Sequence, residues 1–244
     1  DLHSFPTRRS SDLVSSSEKR LQHLKELLLR VKPNLAVEIY AEDLAVQGAA
    51  GRLYDRIGKD GWQVDVLINN AGFGMVGAAH TLDMEKEEQM LQLLVVTPTQ
   101  LCKCCLRDMY KRGSGKILNV ASVGAFQPGP YTASYYASKS YLYQYSQAIR
   151  LEAKKQGVQV CTLCPGSTRT HFFEKTGAKT PIWAMSPERV AKEAWEGLNA
   201  DKAVVVPGMI NRLLRLVPAQ NKAYGVALLK KHTKKDTNKI ERKW

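Results

Sequence analysis

Five short apolar runs limit how this chain can fold: residues 35–40, 64–68, 116–120, 158–163 and 203–207. Each has the length of a strand, ends in turn-forming residues, and is separated from the next by a stretch with helical apolar spacing. Strands alternating with helices build a parallel sheet covered on both faces, because a parallel connection needs a long crossover. The helical stretches begin with Ser17-Glu18-Lys19-Arg20, where Leu21, Leu24, Leu27 and Leu28 share a face and Lys32-Pro33-Asn34 is the stop. Others are expected over about 47–57, through 84–106 to Lys111, over 135–156, and from the cap Ser186-Pro187-Glu188. Residues 13–15 read as the end of an earlier strand. The expected fold is α/β, a doubly wound parallel sheet in one domain.

In an open parallel sheet, ligands sit beyond the carboxyl ends of the strands. The residues there are Asp43, Asn69-Asn70-Ala71-Gly72, Ser122 and Pro165-Gly166. The helical run after Ser122 contains Tyr135 and Lys139, one turn apart and on one face. An ammonium beside a phenol stabilises phenolate, so this pair is expected to lower the tyrosine pKa and act in proton transfer. Tyr-x-x-x-Lys alone is a common spacing. The strand ends around it carry the weight.

With these pieces in order, the chain resembles the short-chain dehydrogenase/reductase family, of the bacterial NAD(P)-dependent type. The matching residues are Asp43-Leu44, Asn69-Asn70-Ala71-Gly72, Ser122, Tyr135-x-x-x-Lys139 and Pro165-Gly166-x-Thr168-x-Thr170, and the likeness runs from about Val14 to Asn211. The resemblance implies a Rossmann-like fold and hydride transfer between a nicotinamide cofactor and a ketone, aldehyde or secondary alcohol. It implies that Tyr135 protonates the carbonyl oxygen, Ser122 polarises it, and Lys139 tunes Tyr135 and holds the nicotinamide ribose hydroxyls. Asp43 would accept from the adenine amino group. Asn70, Ala71 and Gly72 would pack beside the adenine ribose, and Pro165, Gly166 and Thr168 would flank the carboxamide. His171, Phe172, Phe173 and Trp183 fall where the family builds its substrate lid, with ordinary loop packing as the other reading. Ser15-Ser16-Ser17 stand where NAD-preferring members place an acid, which favours NADP(H), with NAD(H) as the alternative. A 3-oxoacyl-thioester reductase and a non-catalytic binding or regulatory member are the competing functions. Helices such as 84–112 and 135–156 pair subunits in this family, implying a homodimer or homotetramer for the intact parent.

Two departures stand out. The family opens with a strand, a Thr-Gly-x-x-x-Gly-x-Gly turn and a helix whose N-terminus binds pyrophosphate. Nothing of the kind precedes Val14, and Gly48-Ala49-Ala50-Gly51 lies in a helical context. Leu2 through Leu13 instead match one reading frame of a common short-read sequencing adapter. Residues 1–13 are therefore expected to be adapter-derived and are set aside from the fold, with 14–211 a truncated Rossmann-like domain and 212–244 a basic extension. Without its first strand, glycine-rich turn and first helix, the chain is expected to bind dinucleotide poorly and to expose apolar sheet edge. The second departure is Leu94, where the family usually has an asparagine that helps hold a water beside the lysine. Leucine cannot hydrogen-bond, so either the proton relay is slower or a neighbouring backbone carbonyl carries the water.

The formal net charge of +13 over 244 residues could suggest nucleic acid. Its excess gathers after Asn211, in runs such as Lys230-Lys231-His232-Thr233-Lys234-Lys235, which reads as a solvated basic tail. A weak hold on anionic lipid through an amphipathic region at 209–229 is the minority reading. No apolar run has the length of a membrane span, so the parent is read as soluble and cytoplasmic. Cys102, Cys104, Cys105, Cys161 and Cys164 lie in a helical and a strand-like run without matching histidines, and read as small reduced core residues rather than metal ligands.

Overall fold

The computed structural model describes residues 10–170, 181, 183–215 and 217–228. In chain order its elements are β1 (Ser10–Ser15), α1 (Glu18–Val31), β2 (Ala36–Ala41), α2 (Ala49–Lys59), β3 (Val66–Asn69) and α3 (Met84–Leu91). A π-helical turn (Gln92–Val96) joins α3 to α4 (Thr97–Arg112). Then come β4 (Gly115–Val120), a 3-10 turn (Val123–Phe126), α5 (Ala133–Lys154), β5 (Val158–Leu163), α6 (Pro187–Asn199), β6 (Val204–Val205) and α7 (Met209–Leu214). Side chains cap several of the helices: Ser17 accepts from the Arg20 amide, Asp83 from Lys86, and Ser186 from Arg189 ahead of Pro187.

All strand pairings are parallel, as the alternation requires, but the strands form two sheets. β1 pairs with β2, and β3, β4, β5 and β6 lie side by side in that order. Among the described residues, β1 and β3 each pair on one side only. The two sheets nevertheless share one apolar floor, because Val14 beside β2 and Leu67 of β3 both pack on the cluster of Tyr40, Ala50, Leu53, Ile57 and Leu101. The open edge has a visible cost at β3, where Ile68 is 50% exposed, while Ile117 in the neighbouring strand is fully buried.

Alternation along β4 and β5 divides the main core. Ile117 and Val160 face Cys102, Cys105, Met109 and Ile149 of α4 and α5. Leu118 and Cys161 face the other way, onto Val190, Ala194 and Leu198 of α6. All five cysteines are free and four are buried, as expected of small core residues.

Three expectations need correction. The helix read as continuous from 84 to 111 is interrupted at Gln92–Val96. Pro98 lacks the N–H that would bond the carbonyl four residues back, at Leu94, and the ladder accommodates that loss as a π turn. The run at 203–207 forms a strand only over Val204–Val205, since Pro207 cannot continue a ladder. Ser10 to Leu13, set aside in the sequence, form most of β1 and pair with Ala36 to Ile39. The fit there is imperfect: Asp12 buries an unpartnered carboxylate oxygen, and burial together with Glu38 and Asp60 raises its pKa.

Two glycines test this backbone. Gly157 turns from α5 into β5 at φ +72°, and an added Cβ would lie 2.2 Å from the Gly113 carbonyl oxygen; Gly51 in α2 has open space around it. Gly157→Ala is expected to cost roughly 2 kcal/mol or more, and Gly51→Ala to stabilise by about 0.5–1 kcal/mol. Denaturant midpoints for both variants check this.

Candidate active site

β4 ends at Val120, and the chain turns at Ser122 into the 3-10 turn. The Ser122 hydroxyl oxygen accepts from the Gly124 amide at 3.0 Å, which fixes the rotamer and leaves its own proton to donate. That proton serves Tyr135, since the Ser122 hydrogen bond favours the phenolate. One turn further along α5, Lys139 is buried and its Nζ donates to the Val120 carbonyl at 2.7 Å. The same nitrogen stands 5.8 Å from the centroid of the Tyr135 ring. Strand end and following helix thus bring Ser122, Tyr135 and Lys139 together.

The start of α5 is held firmly. Tyr131 adopts φ +63°, a strained conformation for an aromatic residue, and its carbonyl accepts from the Gly77 amide. The Ser134 hydroxyl donates to the Glu87 carboxylate, tying α3 to the first turn of α5. A carboxylate beside a helix N-terminus also interacts well with the helix dipole. Gly124 and Gly129 lie against the Tyr136 ring, where an added Cβ at 129 would come within 2.2 Å. Tyr136 lines an apolar depression of about 600 Å³ together with Phe126, Pro128, Pro130 and Ala137.

The electrostatics differ from expectation. Burial pushes the Tyr135 hydroxyl up to about 12, partly offset by Ser122, and Lys139 is not among the groups that shift it. Burial likewise brings Lys139 down to about 8, opposed only by Cys164. The expected lowering of the tyrosine pKa by lysine is therefore absent. Desolvation penalises both charged forms here more than the pair compensates.

The end of β3 also reaches Lys139. A Cβ on Gly72, beyond β3, would lie 3.9 Å from Lys139 Nζ and 2.7 Å from Leu94 Cδ2. Leu94 therefore fills the space beside the lysine with carbon, and Lys139 finds its acceptor in the backbone of β4. Pro165 joins through its carbonyl, which accepts from the Val123 amide at 3.0 Å. Gly166 packs against Asn211, and the Thr168 hydroxyl donates to the Gly166 carbonyl at 3.1 Å. Asn70, Ala71 and Gly72 are exposed beyond β3. Asp43 lies after β2, in the other sheet, where one carboxylate oxygen accepts from the Ala45 amide at 3.0 Å. His171, Phe172 and Phe173 lie outside the described residues, and Trp183 is largely exposed.

Sequence reasoning missed the support beneath the site. Asn119 is fully buried in β4; its amide donates to the Ser146 hydroxyl at 2.8 Å, and its carbonyl oxygen accepts from Asn69 at 2.8 Å. Ser146 passes the chain on to the Leu142 carbonyl at 2.6 Å. This line ties β3, β4 and α5 in fixed register below Lys139. Its signal was an asparagine inside an otherwise apolar strand run, which needs partners when buried.

A Rossmann-like α/β fold with a Ser, Tyr and Lys at one strand end defines a class, and comparison agrees. Residues 11–181 match the short chain dehydrogenase family, and the chain belongs to it. It is 32% identical over 143 residues to the 3-ketodihydrosphingosine reductase of Bacteroides thetaiotaomicron, covering 59% of this chain and 52% of that protein. It is 28% identical over 161 residues to the ketoacyl reductase HetN of Nostoc sp., covering 65% and 52%. The chain thus spans about half the length of these curated relatives. A short-chain dehydrogenase from Sphingobium yanoikuyae, solved with NADPH, superposes with a TM-score of 0.77 at 26% identity, covering 85% of this chain and 82% of that one.

The buried lysine yields a test without any ligand. Its value near 8 in the folded protein lies below the ordinary 10.5, so between those values the unfolded chain binds more protons and stability rises with pH. Below about 8 the burial penalty is fully present. Unfolding free energies of the wild type relative to Lys139→Met are expected to climb by up to about 3 kcal/mol between pH 7 and 10.5. A difference that does not change with pH would contradict this account of Lys139.

Proposed function

We propose that the intact parent is an NAD(P)-dependent oxidoreductase that interconverts a ketone or aldehyde and an alcohol. The observation that carries this reading is the convergence of the Ser122 hydroxyl, the Tyr135 hydroxyl and the Lys139 ammonium at the end of β4. A carbonyl oxygen placed between Ser122 and Tyr135 accepts two hydrogen bonds. As it gains negative charge during reduction, those donors stabilise it, and Tyr135 passes its proton to the oxygen. Among the groups around Tyr135, the Ser122 hydrogen bond is the one that favours the phenolate left behind. Ser122 holds the carbonyl in line through an oxygen already fixed by Gly124.

The donor set fits the nicotinamide half of a dinucleotide. Lys139 uses one N–H on Val120 and keeps two, suited to vicinal ribose hydroxyls. Pro165, Gly166 and Thr168 border the carboxamide position, with Asn70, Ala71, Gly72 and Asp43 toward the adenine end. The cofactor supplies the hydride. NADP(H) is the favoured form: Ser15 to Ser17 offer no carboxylate at the end of β1, and the Sphingobium relative was solved with NADPH. A glycine-rich pyrophosphate turn is not among the described residues, so this chain as it stands is expected to hold the dinucleotide weakly.

A 3-oxoacyl-thioester is the second substrate reading, favoured by the ketoacyl reductase among the relatives. A cytoplasmic parent suits the absence, among the described residues, of any helix long and apolar enough to cross a membrane. Pairing of subunits through α4 and α5 would cover Tyr141 and Leu151, which are exposed on α5.

NADPH titration of the chain is expected to show no micromolar binding. Joined to a strand, glycine-rich turn and helix unit, it is expected to reduce ketones with NADPH, and Tyr135→Phe to lower kcat roughly 100-fold or more. Equal turnover by that variant would remove Tyr135 as the proton donor, no ketone turnover by the joined protein would favour a non-catalytic family member, and preference for acyl-carrier substrates would favour the thioester reading.

A further inference from the structure

The last described part of the chain presents apolar side chains to solvent. In α7 and the helical stretch over 219–228, basic side chains reach back onto the protein body. Arg212 donates to the Val206 carbonyl at 2.9 Å and to Glu193 at 3.3 Å. Arg215 donates to the Tyr143 hydroxyl at 3.2 Å, with its guanidinium 4.9 Å from the Phe126 ring centroid. Lys222 donates to the Phe126 carbonyl at 3.4 Å. The large apolar residues point outward: Met209 is 74% exposed, Ile210 72%, Leu213 59%, Tyr224 79% and Leu228 63%.

Met209, Ile210 and Leu213 share a helical face by spacing, as do Tyr224 and Leu228, so each helix carries an outward apolar stripe. A solvated tail would be expected to do the opposite. Directly after these stripes in sequence, residues 229–244 hold seven Lys or Arg against two Asp or Glu. Apolar stripes next to a polybasic segment are the combination that holds a protein on a negatively charged bilayer surface. The charge also argues against a second copy as the occupant, because pairing two such ends would bring the same cations face to face.

We propose that this end of the protein docks on an anionic lipid surface. The α7 and 219–228 stripes enter the interface, and the Lys and Arg that follow in sequence supply the positive charge that favours anionic headgroups. The contact is peripheral, and the active-site elements stay in the aqueous body of the fold.

Co-sedimentation of the full chain with vesicles tests this, using phosphatidylcholine alone and phosphatidylcholine mixed with phosphatidylglycerol. The expected result is at least about ten-fold tighter binding to the mixed vesicles, weakened by salt. Ile210→Ser with Leu213→Ser is expected to abolish binding. Lys230→Gln, Lys231→Gln, Lys234→Gln and Lys235→Gln together are expected to remove the preference for anionic lipid. Circular dichroism establishes that each variant is folded, and Ile210→Ser alone serves if the double change unfolds the chain. No binding to mixed vesicles would overturn the proposal. So would light scattering that shows a dimer dispersed by Ile210→Ser, which would make the stripe a subunit interface.

Discussion

The position of one buried ammonium organises this molecule. Lys139 stands inside the protein, and a buried cation is costly unless its protons find acceptors. The Val120 carbonyl supplies one where β4 runs out of ladder partners, so the end of that strand and the first turns of α5 must stay in contact. Ser122 follows Val120 by two residues, and Tyr135 precedes Lys139 by one turn. Holding the lysine therefore brings the serine and the tyrosine together as well. Beneath them, Asn69, Asn119 and Ser146 join β3, β4 and α5 by side-chain hydrogen bonds, so the strand ends cannot slide against the helix.

The same geometry explains an imbalance between the two ends of the proposed cofactor site. Gly72, Ser122 and Pro165-Gly166 follow adjacent strands of the four-stranded sheet, and Gly72 lies beside Lys139. Asp43 follows β2 of the two-stranded sheet. The two sheets share an apolar floor but have no ladder between them among the described residues. In the proposed reading, the nicotinamide end rests on β4 and β5, which are paired on both sides, and the adenine end on β2 and β3, which among the described residues each pair on one side. Leu94 adds a local constraint: packed against Gly72, it leaves the lysine a backbone acceptor in place of a side-chain amide.

Much of this was legible in the sequence because it rests on short-range rules. β4 and β5 follow from apolar runs bounded by glycine, proline and serine. Tyr135 and Lys139 follow from helical spacing, and the strand-end residues from where ligands sit in parallel sheets. What was not legible depends on distant partners or on burial. Ser134 and Glu87 are 47 residues apart in sequence, and nothing local to either announces the bond. Asn119 carried a weak signal, a polar residue in a buried strand. Pro98 carried a strong one, since its missing N–H converts Leu94 and its neighbours from α to π geometry. The Tyr135 shift runs upward because burial outweighs the Ser122 hydrogen bond, and burial is not visible in helical spacing. The outward apolar stripes of α7 and 219–228 depend on which face rests on the body, which spacing alone does not reveal.

The most direct measurement is an NMR titration of Lys139 itself, following its side-chain carbon next to the ammonium in lysine-labelled protein assigned with Lys139→Met. The account predicts a midpoint near 8, set apart from the surface lysines. A midpoint at the ordinary value of 10.5 would mean that the ammonium is solvated, and the construction of the site around it would be wrong.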